Sequence, residues 1–276
     1  MSRAVVTRDI DLVLSDVDGT IVTNDKVLTG DAKAAVRGLR DAGIAFALAS
    51  SRPPRGMTRL IEPLSPLSGI ACVNGGVFVH SDLTIIETHL IDPATARLTH
   101  DSMREEGLDV WVYTTDDWLV LDKNAPYVAR ETFTLGFEPQ VVPAITPDHL
   151  AHSLKIVGVS KDFAAVAAAE AKARTLLGDK ASAARSQAQF LDVTHPRANK
   201  GDVVLTFSKW LNIPTARIAT IGDGSNDSLM FAQSGFSVAM GNGSEEVRRS
   251  ATKVTDTNED EGFAKAIRRF ILGGER

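Results

Sequence analysis

Short apolar runs separated by a helical stripe characterise the N-terminal part of the chain. The runs IDLVL (10–14), IAFALA (44–49) and GIACV (69–73) are typical of strands covered on both faces, as in a parallel sheet. Between the first two runs, apolar side chains recur at helical spacing over residues 32–39, after Thr29 as a candidate N-cap. This order predicts a βαβ unit.

The same pattern returns near the C-terminus. Residues 203–211 carry a helical apolar stripe, and ARIATIG (216–222) and FSVAMG (236–241) predict two strands with a short helix between them. Asn258 and Glu261 have the spacing of a capping box for a last helix. The C-terminal part therefore predicts a continuation of the α/β pattern.

The middle of the chain has a different pattern of predicted strands and helices. The stretch LDVWVYTTDDWLVLD (108–122) predicts two strands around a polar turn, and SLKIVGVS (153–160) predicts a further strand. Residues 161–177 form an Ala-rich stretch that predicts a helix. A hairpin with separate helices indicates an α+β unit inserted into the α/β fold.

The length of 276 residues favours two domains. We expect an α/β core with a mainly parallel sheet, built from residues 1–87 and 191–276. The inserted α+β domain is expected to occupy residues 88–190.

Composition and charge narrow the class of protein. Hydrophobic residues make up 43% and charged residues 24%, which is ordinary for a globular protein. A net charge of −5 is not typical of proteins that bind nucleic acid or anionic membranes, so neither partner is expected. The single cysteine, Cys72, permits no internal disulfide and fits a reducing, cytoplasmic location. No signal peptide or membrane span is expected, because no long apolar segment occurs near the N-terminus.

Polar or turn-forming residues follow each of four predicted core strands, at the sheet edge where open parallel sheets bind ligands. These residues are Asp16, Asp18, Ser50, Ser51, Arg52, Asn74, Gly75, Asp223, Asn226 and Asp227, and Lys200 precedes the helix that leads into ARIATIG. Each stretch alone is also typical of a turn or a helix cap. Their joint occurrence at successive strand ends favours a single site.

The chemistry of this set is coherent. Four carboxylates in one cleft require a hard divalent cation, and Mg²⁺ prefers such oxygen ligands. The spacing of the acids does not match a calcium-binding loop. A metal ion with Ser50 and Lys200 nearby suits a phosphoryl group. An aspartate can serve as the nucleophile, and a carboxylate two residues away can act as general acid and base.

The motifs resemble those of the haloacid dehalogenase superfamily of phosphohydrolases. DVDGT, a hydroxyl after a buried strand, Lys200 and GDGSND occur in the same order as in that superfamily. The stretches VNGG, NKGDVV, IGDGSNDSLMF and NEDEGFAKAI are similar to the Cof-type subfamily, in which a cap domain lies between the second and third motifs. The resemblance implies a Rossmann-like core and an inserted cap that sets substrate choice.

The resemblance also implies a role for each residue that matches a motif. Asp16 would be the nucleophile and a metal ligand, and Asp18 the general acid and base, with its backbone carbonyl on the metal. Ser50 would bind the transferring phosphoryl group, and Lys200 would neutralise that group and orient the nucleophile. Asp223 would bind Mg²⁺.

Further positions would complete the site. Asp227 would bind Mg²⁺ directly or through water. The expected substrate-contacting residues are Ser51, Arg52, Asn74, Gly75 and Asn226. Ser51 departs from the family pattern, in which a glycine usually occupies this position.

These features predict a Mg²⁺-dependent phosphatase that acts on a small phosphorylated metabolite, a sugar phosphate, through an aspartyl-phosphate. Asp18 favours a phosphatase or a phosphomutase over other reactions of the superfamily. A phosphomutase and a non-catalytic sensor of phosphorylated ligands stay open as alternatives. The aromatic residues Trp111, Tyr113 and Trp118 are expected in the cap core, although one of them could face the substrate.

Overall fold

The computed structural model describes residues 9–274, which form two sheets with helices. The first part of the chain contains β1 (Leu12–Ser15), α1 (Gly30–Asp41), β2 (Ala45–Ala49), α2 (Thr58–Leu64), β3 (Ile70–Cys72), β4 (Val77–Val79) and β5 (Ile85–Thr88). The middle part contains α3 (Pro93–Glu105), β6 (Asp109–Tyr113), β7 (Trp118–Val120), α4 (Val128–Leu135), β8 (Gln140–Val141), α5 (Pro147–Ala151), β9 (Lys155–Val159), α6 (Phe163–Leu177), β10 (Ser182–Gln187) and β11 (Phe190–Thr194). The last part contains α7 (Lys200–Leu211), β12 (Ile218–Gly222), α8 (Asp227–Gln233), β13 (Phe236–Ala239), α9 (Glu245–Ser250), β14 (Lys253–Val254) and α10 (Gly262–Ala266).

The first sheet combines both ends of the chain in the order β14-β13-β12-β1-β2-β3-β4-β5. Pairing is parallel from β14 to β3 and antiparallel for β4 and β5. In β1, Leu12 and Leu14 pack with Phe207 of α7, whereas Val13 packs on the opposite face with Leu39 of α1. Both faces are thus covered by helices, and the predicted α/β fold is confirmed.

The second sheet lies within the middle of the chain, in the order β10-β11-β9-β6-β7-β8. Its strands pair antiparallel except for β7 and β8. One face packs on α3 and α6, through residues such as Met103 and Val166. The other face is aromatic and carries Trp111, Tyr113 and Phe190. No helix within residues 9–274 has the length and apolar character to cross a membrane.

The chain passes between the two sheets at residues 89–92 and 195–199. The expected boundary after residue 190 falls at the beginning of β11, which pairs with β9 in the second sheet up to Thr194. The second sheet therefore extends beyond the expected edge of the inserted unit.

The predicted capping box before the last helix is wrong. Residues Asn258–Asp260 form a 3₁₀ turn, and Glu261 adopts a left-handed conformation with φ of 58°. The Glu261 carboxylate accepts a hydrogen bond of 2.8 Å from the hydroxyl of Thr29, which itself caps α1. The side chain of Glu261 thus links two helices instead of capping its own.

Candidate active site

The first site residue is Asp16, which follows β1 at the carboxyl edge of the first sheet. Its backbone N–H donates to the carbonyl of Ile221 in β12, at 2.9 Å, so the pairing of β1 with β12 continues to this residue. Lys200, the first residue of α7, extends its ammonium to Asp16 Oδ1 at 2.5 Å and to Asp227 Oδ1 at 2.6 Å. All three side chains are buried, so the Lys200 ammonium lies between two carboxyl groups with little exposure to water.

Asp227 and Asp223 complete the acidic cluster. Asp227 begins α8, and its Oδ2 accepts from the backbone N–H groups of Asp223 and Gly224, each at 2.8 Å. A side chain at Gly222 would place its Cβ 2.3 Å from Asp227 Cγ, so only glycine fits there. One carboxylate oxygen from each of Asp16, Asp223 and Asp227 lies within 4.8 Å of the others.

Burial dominates the electrostatics of this cluster. Burial raises the pKa of Asp16 to about 8, and Asp227 and Asp223 add to this increase while Lys200 opposes it. Burial and the charge of Asp227 raise the pKa of Asp223 to about 6. Burial lowers the pKa of Lys200, but its two carboxylate partners outweigh this effect and raise it. One ammonium thus faces three carboxylates, and this oxygen donor set can hold a divalent metal ion.

Asp18 lies apart from the cluster of three aspartates. Arg52 Nε and Nη2 donate to its two carboxylate oxygens, each at 2.7 Å, and Lys26 Nζ lies 2.8 Å from Oδ1. Burial raises the pKa of Asp18, but the pairs with Arg52 and Lys26 outweigh it and hold the pKa below the usual range. The structure therefore brings three of the four predicted acids together, and the fourth forms its own ion pair.

The loops after β2 and β3 contact each other. Ser50 is buried, its Oγ accepts from the Arg52 N–H at 3.1 Å, and its carbonyl accepts from the Asn74 N–H at 2.7 Å. Asn226 donates to the side-chain oxygen of Asn74 at 3.1 Å, which joins this loop to the one after β12. Gly75 has φ of 97°, and a Cβ there would lie 2.7 Å from Val203 Cγ2. The loop approaches α7 closely because this position has no side chain.

Asn242 is a site residue that the sequence reasoning missed. Its side-chain amide donates to Asp223 Oδ2 at 3.0 Å and to the carbonyl of Gly19 at 2.9 Å. It follows β13, so the same rule of polar residues after core strands could have found it. Lys26 was also missed, because nothing in its local sequence indicates a contact with Asp18.

A cleft of about 840 Å³ separates the acidic cluster from the aromatic face of the second sheet. From the first sheet, the residues that line it include Asp16, Asp18, Lys26, Ser51, Arg52, Asn74, Lys200, Asp223 and Asn226. From the second sheet and α4 they include Trp111, Tyr113, Glu131, Phe133, Lys155, Arg185, Phe190 and Asp192. Ser50 and Gly75 do not line the cleft, and the wall on its far side belongs to the inserted unit.

Comparison with protein families decides the classification. The family model described as haloacid dehalogenase-like hydrolase matches residues 13–267, which include the elements of both sheets. This chain belongs to that family. The resemblance drawn from the motifs is thereby confirmed, as is the expectation of a hydrolytic enzyme.

Several known proteins resemble this hydrolase over nearly its whole length. A haloacid dehalogenase-like hydrolase from Bacteroides thetaiotaomicron has a TM-score of 0.86 at 24% identity, covering 94% of this chain and 99% of that one. BT1666 from the same organism, studied among phosphatases of the superfamily, has a TM-score of 0.82 at 26% identity, covering 98% and 97%. The 5-amino-6-(5-phospho-D-ribitylamino)uracil phosphatase YcsE of Bacillus subtilis is 23% identical, covering 96% of this chain and 97% of its own.

Proposed function

We propose that this hydrolase is a Mg²⁺-dependent phosphatase that hydrolyses a small phosphorylated metabolite, a sugar phosphate, through an aspartyl-phosphate. The observation that carries the proposal is the buried Lys200 ammonium between Asp16 and Asp227, with Asp223 beside them. A nucleophilic carboxylate, a fixed cation and a metal-binding cluster at one sheet edge are what transfer of a phosphoryl group requires. The similarity to BT1666 supports the same reaction class.

The three-aspartate cluster fits Mg²⁺ because every donor is a carboxylate oxygen. Asp16 and Asp223 would bind the ion, and Asp227 would bind it directly or through water, because its Oδ2 already accepts two backbone N–H groups. The backbone carbonyl of Asp18 would be a further ligand. Bound Mg²⁺ would neutralise the carboxylates and the charge of the phosphoryl oxygens.

The aspartates would act in turn. The Asp16 carboxylate attacks phosphorus, the ester P–O bond breaks, and Asp18 gives its proton to the leaving oxygen. Asp18 then takes a proton from water, whose oxygen attacks the aspartyl-phosphate and releases inorganic phosphate. Lys200 and the Ser50 hydroxyl would bind the phosphoryl oxygens. Asp18 must gain a proton before the first step, because Arg52 and Lys26 hold it ionised in this structure.

The second sheet and its helices would serve as a cap over the cleft. We place this unit at residues 89–194, between the two crossings of the chain, and the core on either side of it. A cap of this kind excludes bulk water and contacts the part of the substrate that differs between metabolites. The name of the Bacillus subtilis relative specifies a phosphate on a ribityl chain, which supports a polyhydroxylated substrate.

The test is release of inorganic phosphate from a panel of sugar and polyol phosphates. Turnover should require Mg²⁺, should stop with chelator and should be absent in Asp16→Asn. Asp31→Asn is the matched control, because Asp31 is an exposed acid on α1 that pairs with Arg268 and does not line the cleft. Phosphoryl transfer to a second sugar phosphate without phosphate release would indicate a mutase. Binding without turnover of any ester would indicate a sensor.

A further inference from the structure

A buried lysine without a carboxylate partner lies in the cap wall of the cleft. Lys155, the first residue of β9, is 7% exposed. Its ammonium lies 4.4 Å from the centre of the Tyr113 ring and 3.5 Å from the carbonyl oxygen of Ser51. Within residues 9–274 it forms no ion pair with a carboxylate. An ammonium in this position retains donor capacity that the protein itself does not use.

The strand register places acceptors beside this donor. Lys155 pairs with Tyr113 of β6 and Thr194 of β11, so Asp192, two residues before Thr194, lies on the same face of the sheet. Glu131 of α4 accepts a hydrogen bond of 2.9 Å from the Tyr113 hydroxyl. Burial raises the pKa of Glu131, and the nearby Lys155 ammonium opposes that shift. The cap wall thus presents the Lys155 ammonium with carboxylate acceptors close by.

Lys155 and Glu131 lie on the side of the proposed reaction centre where the leaving alcohol would bind. Ser51, which Lys155 contacts, immediately precedes Arg52, and Arg52 holds both oxygens of Asp18. Asp18 and Glu131 line the same cleft, Asp18 from the first sheet and Glu131 from α4. Because Asp18 would protonate the leaving oxygen, the remainder of the leaving alcohol would occupy the part of the cleft that Lys155 and Glu131 line.

We propose that Lys155 and Glu131 bind hydroxyl groups of the leaving alcohol and thereby select phosphate esters of uncharged polyols. This inference rests on the proposed phosphatase function and adds a substrate class and the residues that determine it. A hydroxyl can accept from the lysine and donate to the glutamate, whereas an alkyl group would cover both charged groups without offering either a hydrogen bond. A second anionic group placed at Lys155 would lie beside the carboxylates of Glu131 and Asp192, which would oppose its binding.

The experiment compares three esters that share the phosphoryl group: ribitol phosphate, p-nitrophenyl phosphate and phosphoglycerate. Lys155→Met should lower kcat/KM for ribitol phosphate about 10- to 100-fold, the value of a hydrogen bond to a charged group. The same variant should change kcat/KM for p-nitrophenyl phosphate by less than about threefold, because that leaving group carries no additional hydroxyl that could bind Lys155. Glu131→Gln should likewise lower kcat/KM for ribitol phosphate more than for p-nitrophenyl phosphate. Lys155→Arg should retain more of the kcat/KM for ribitol phosphate than Lys155→Met does.

Lys172→Met is the matched control, since Lys172 is an exposed cap lysine that pairs with Glu105 and Glu106. Equal losses for all three esters in Lys155→Met, with the control unchanged, would overturn the proposal. The proposal would also be overturned if Lys155→Met lowered kcat/KM most for phosphoglycerate, because Lys155 would then recognise an anion.

Binding of ribitol phosphate to the Asp16→Asn protein, measured by calorimetry, separates this inference from the proposed function. Loss of binding on adding Lys155→Met supports the subsite even if the wild-type protein does not turn the ester over. Binding that is equally tight with and without Lys155 contradicts the subsite, whatever the activity.

Discussion

The substitution Gly19→Ala tests the role of the acidic cluster, because it adds one methyl group beside Asp223. A Cβ at this position would lie 2.3 Å from Asp223 Oδ2, where 3.4 Å is the shortest ordinary contact. The Asp223 carboxylate must therefore shift by about 1 Å, and a displacement of that size at a reacting centre can lower a rate by about 100-fold. Asn242 holds both the Gly19 carbonyl and Asp223, so the carboxylate has little freedom to shift without losing that bond.

Gly43 provides a matched control for the backbone effect. Gly19 has φ of 76° and Gly43 has φ of 75°, but a Cβ at Gly43 would meet nothing within 4 Å. Alanine in the left-handed region costs about 1–2 kcal/mol at either position. For a protein of this size, we expect Gly43→Ala to lower the melting temperature by about 2–4 °C per kcal/mol, with phosphatase activity unchanged.

The assay is kcat/KM for a phosphate ester, measured over a range of Mg²⁺ concentrations for both variants. We expect Gly19→Ala to lose about 100-fold and to need more Mg²⁺ for half-maximal rate, while Gly43→Ala matches the wild type within about twofold. Melting temperatures of the two variants show whether the strain is comparable. The reasoning is refuted if Gly19→Ala retains the activity and the Mg²⁺ dependence of Gly43→Ala, because Asp223 would then have no role in the reaction.

Three further predictions concern the charged residues of the site. Asp16→Asn should fold normally and release no phosphate, so turnover by a protein checked by mass spectrometry for deamidation would contradict the role of Asp16. Lys200→Met should lower the free energy of unfolding by about 3–5 kcal/mol, because two buried carboxylates lose their shared cation. An unchanged urea unfolding curve would show that the ion pairs of Lys200 do not contribute to stability. Arg52→Met should lower the free energy of unfolding at neutral pH. This loss should shrink as the pH falls below about 4, because the pKa of Asp18 is lowered and the ion pair stabilises the protein only while Asp18 is ionised. A loss of stability that does not depend on pH would exclude this ion pair as its cause.

The central strands were predictable because apolar side chains cover both of their faces. β1, β2 and β12 have this pattern, and the sequence places them correctly. β10 was not predicted, because SAARSQ has no apolar period and five of its six residues are exposed. Its strand conformation comes from antiparallel pairing with β11, which is a tertiary effect.

The residues of the site were predictable by position, but their partners were not. Asp16, Asp223 and Asp227 follow from the rule that parallel sheets bind ligands at the carboxyl ends of strands. That rule says nothing of side-chain direction, so the bidentate pair of Asp18 with Arg52 and the long bond from Lys155 to Ser51 appear only in the structure. Contacts across the cleft depend on how the second sheet lies over the first, and no local pattern encodes this.

The structure gives separate environments to two aspartates that lie one residue apart in the sequence. β1 ends at Ser15 and the chain turns from Val17, between Asp16 and Asp18, so the two side chains do not share a strand face. Asp16 meets the buried ammonium of Lys200, and Asp18 meets Arg52 and Lys26. Asp16 shares one cation with Asp227, whereas Asp18 has two cations, and the two environments shift the pKa values in opposite directions, up for Asp16 and down for Asp18. A substrate that displaces both Arg52 and Lys26 from Asp18 would remove the contacts that keep it ionised, and Asp18 could then gain the proton that the leaving oxygen requires.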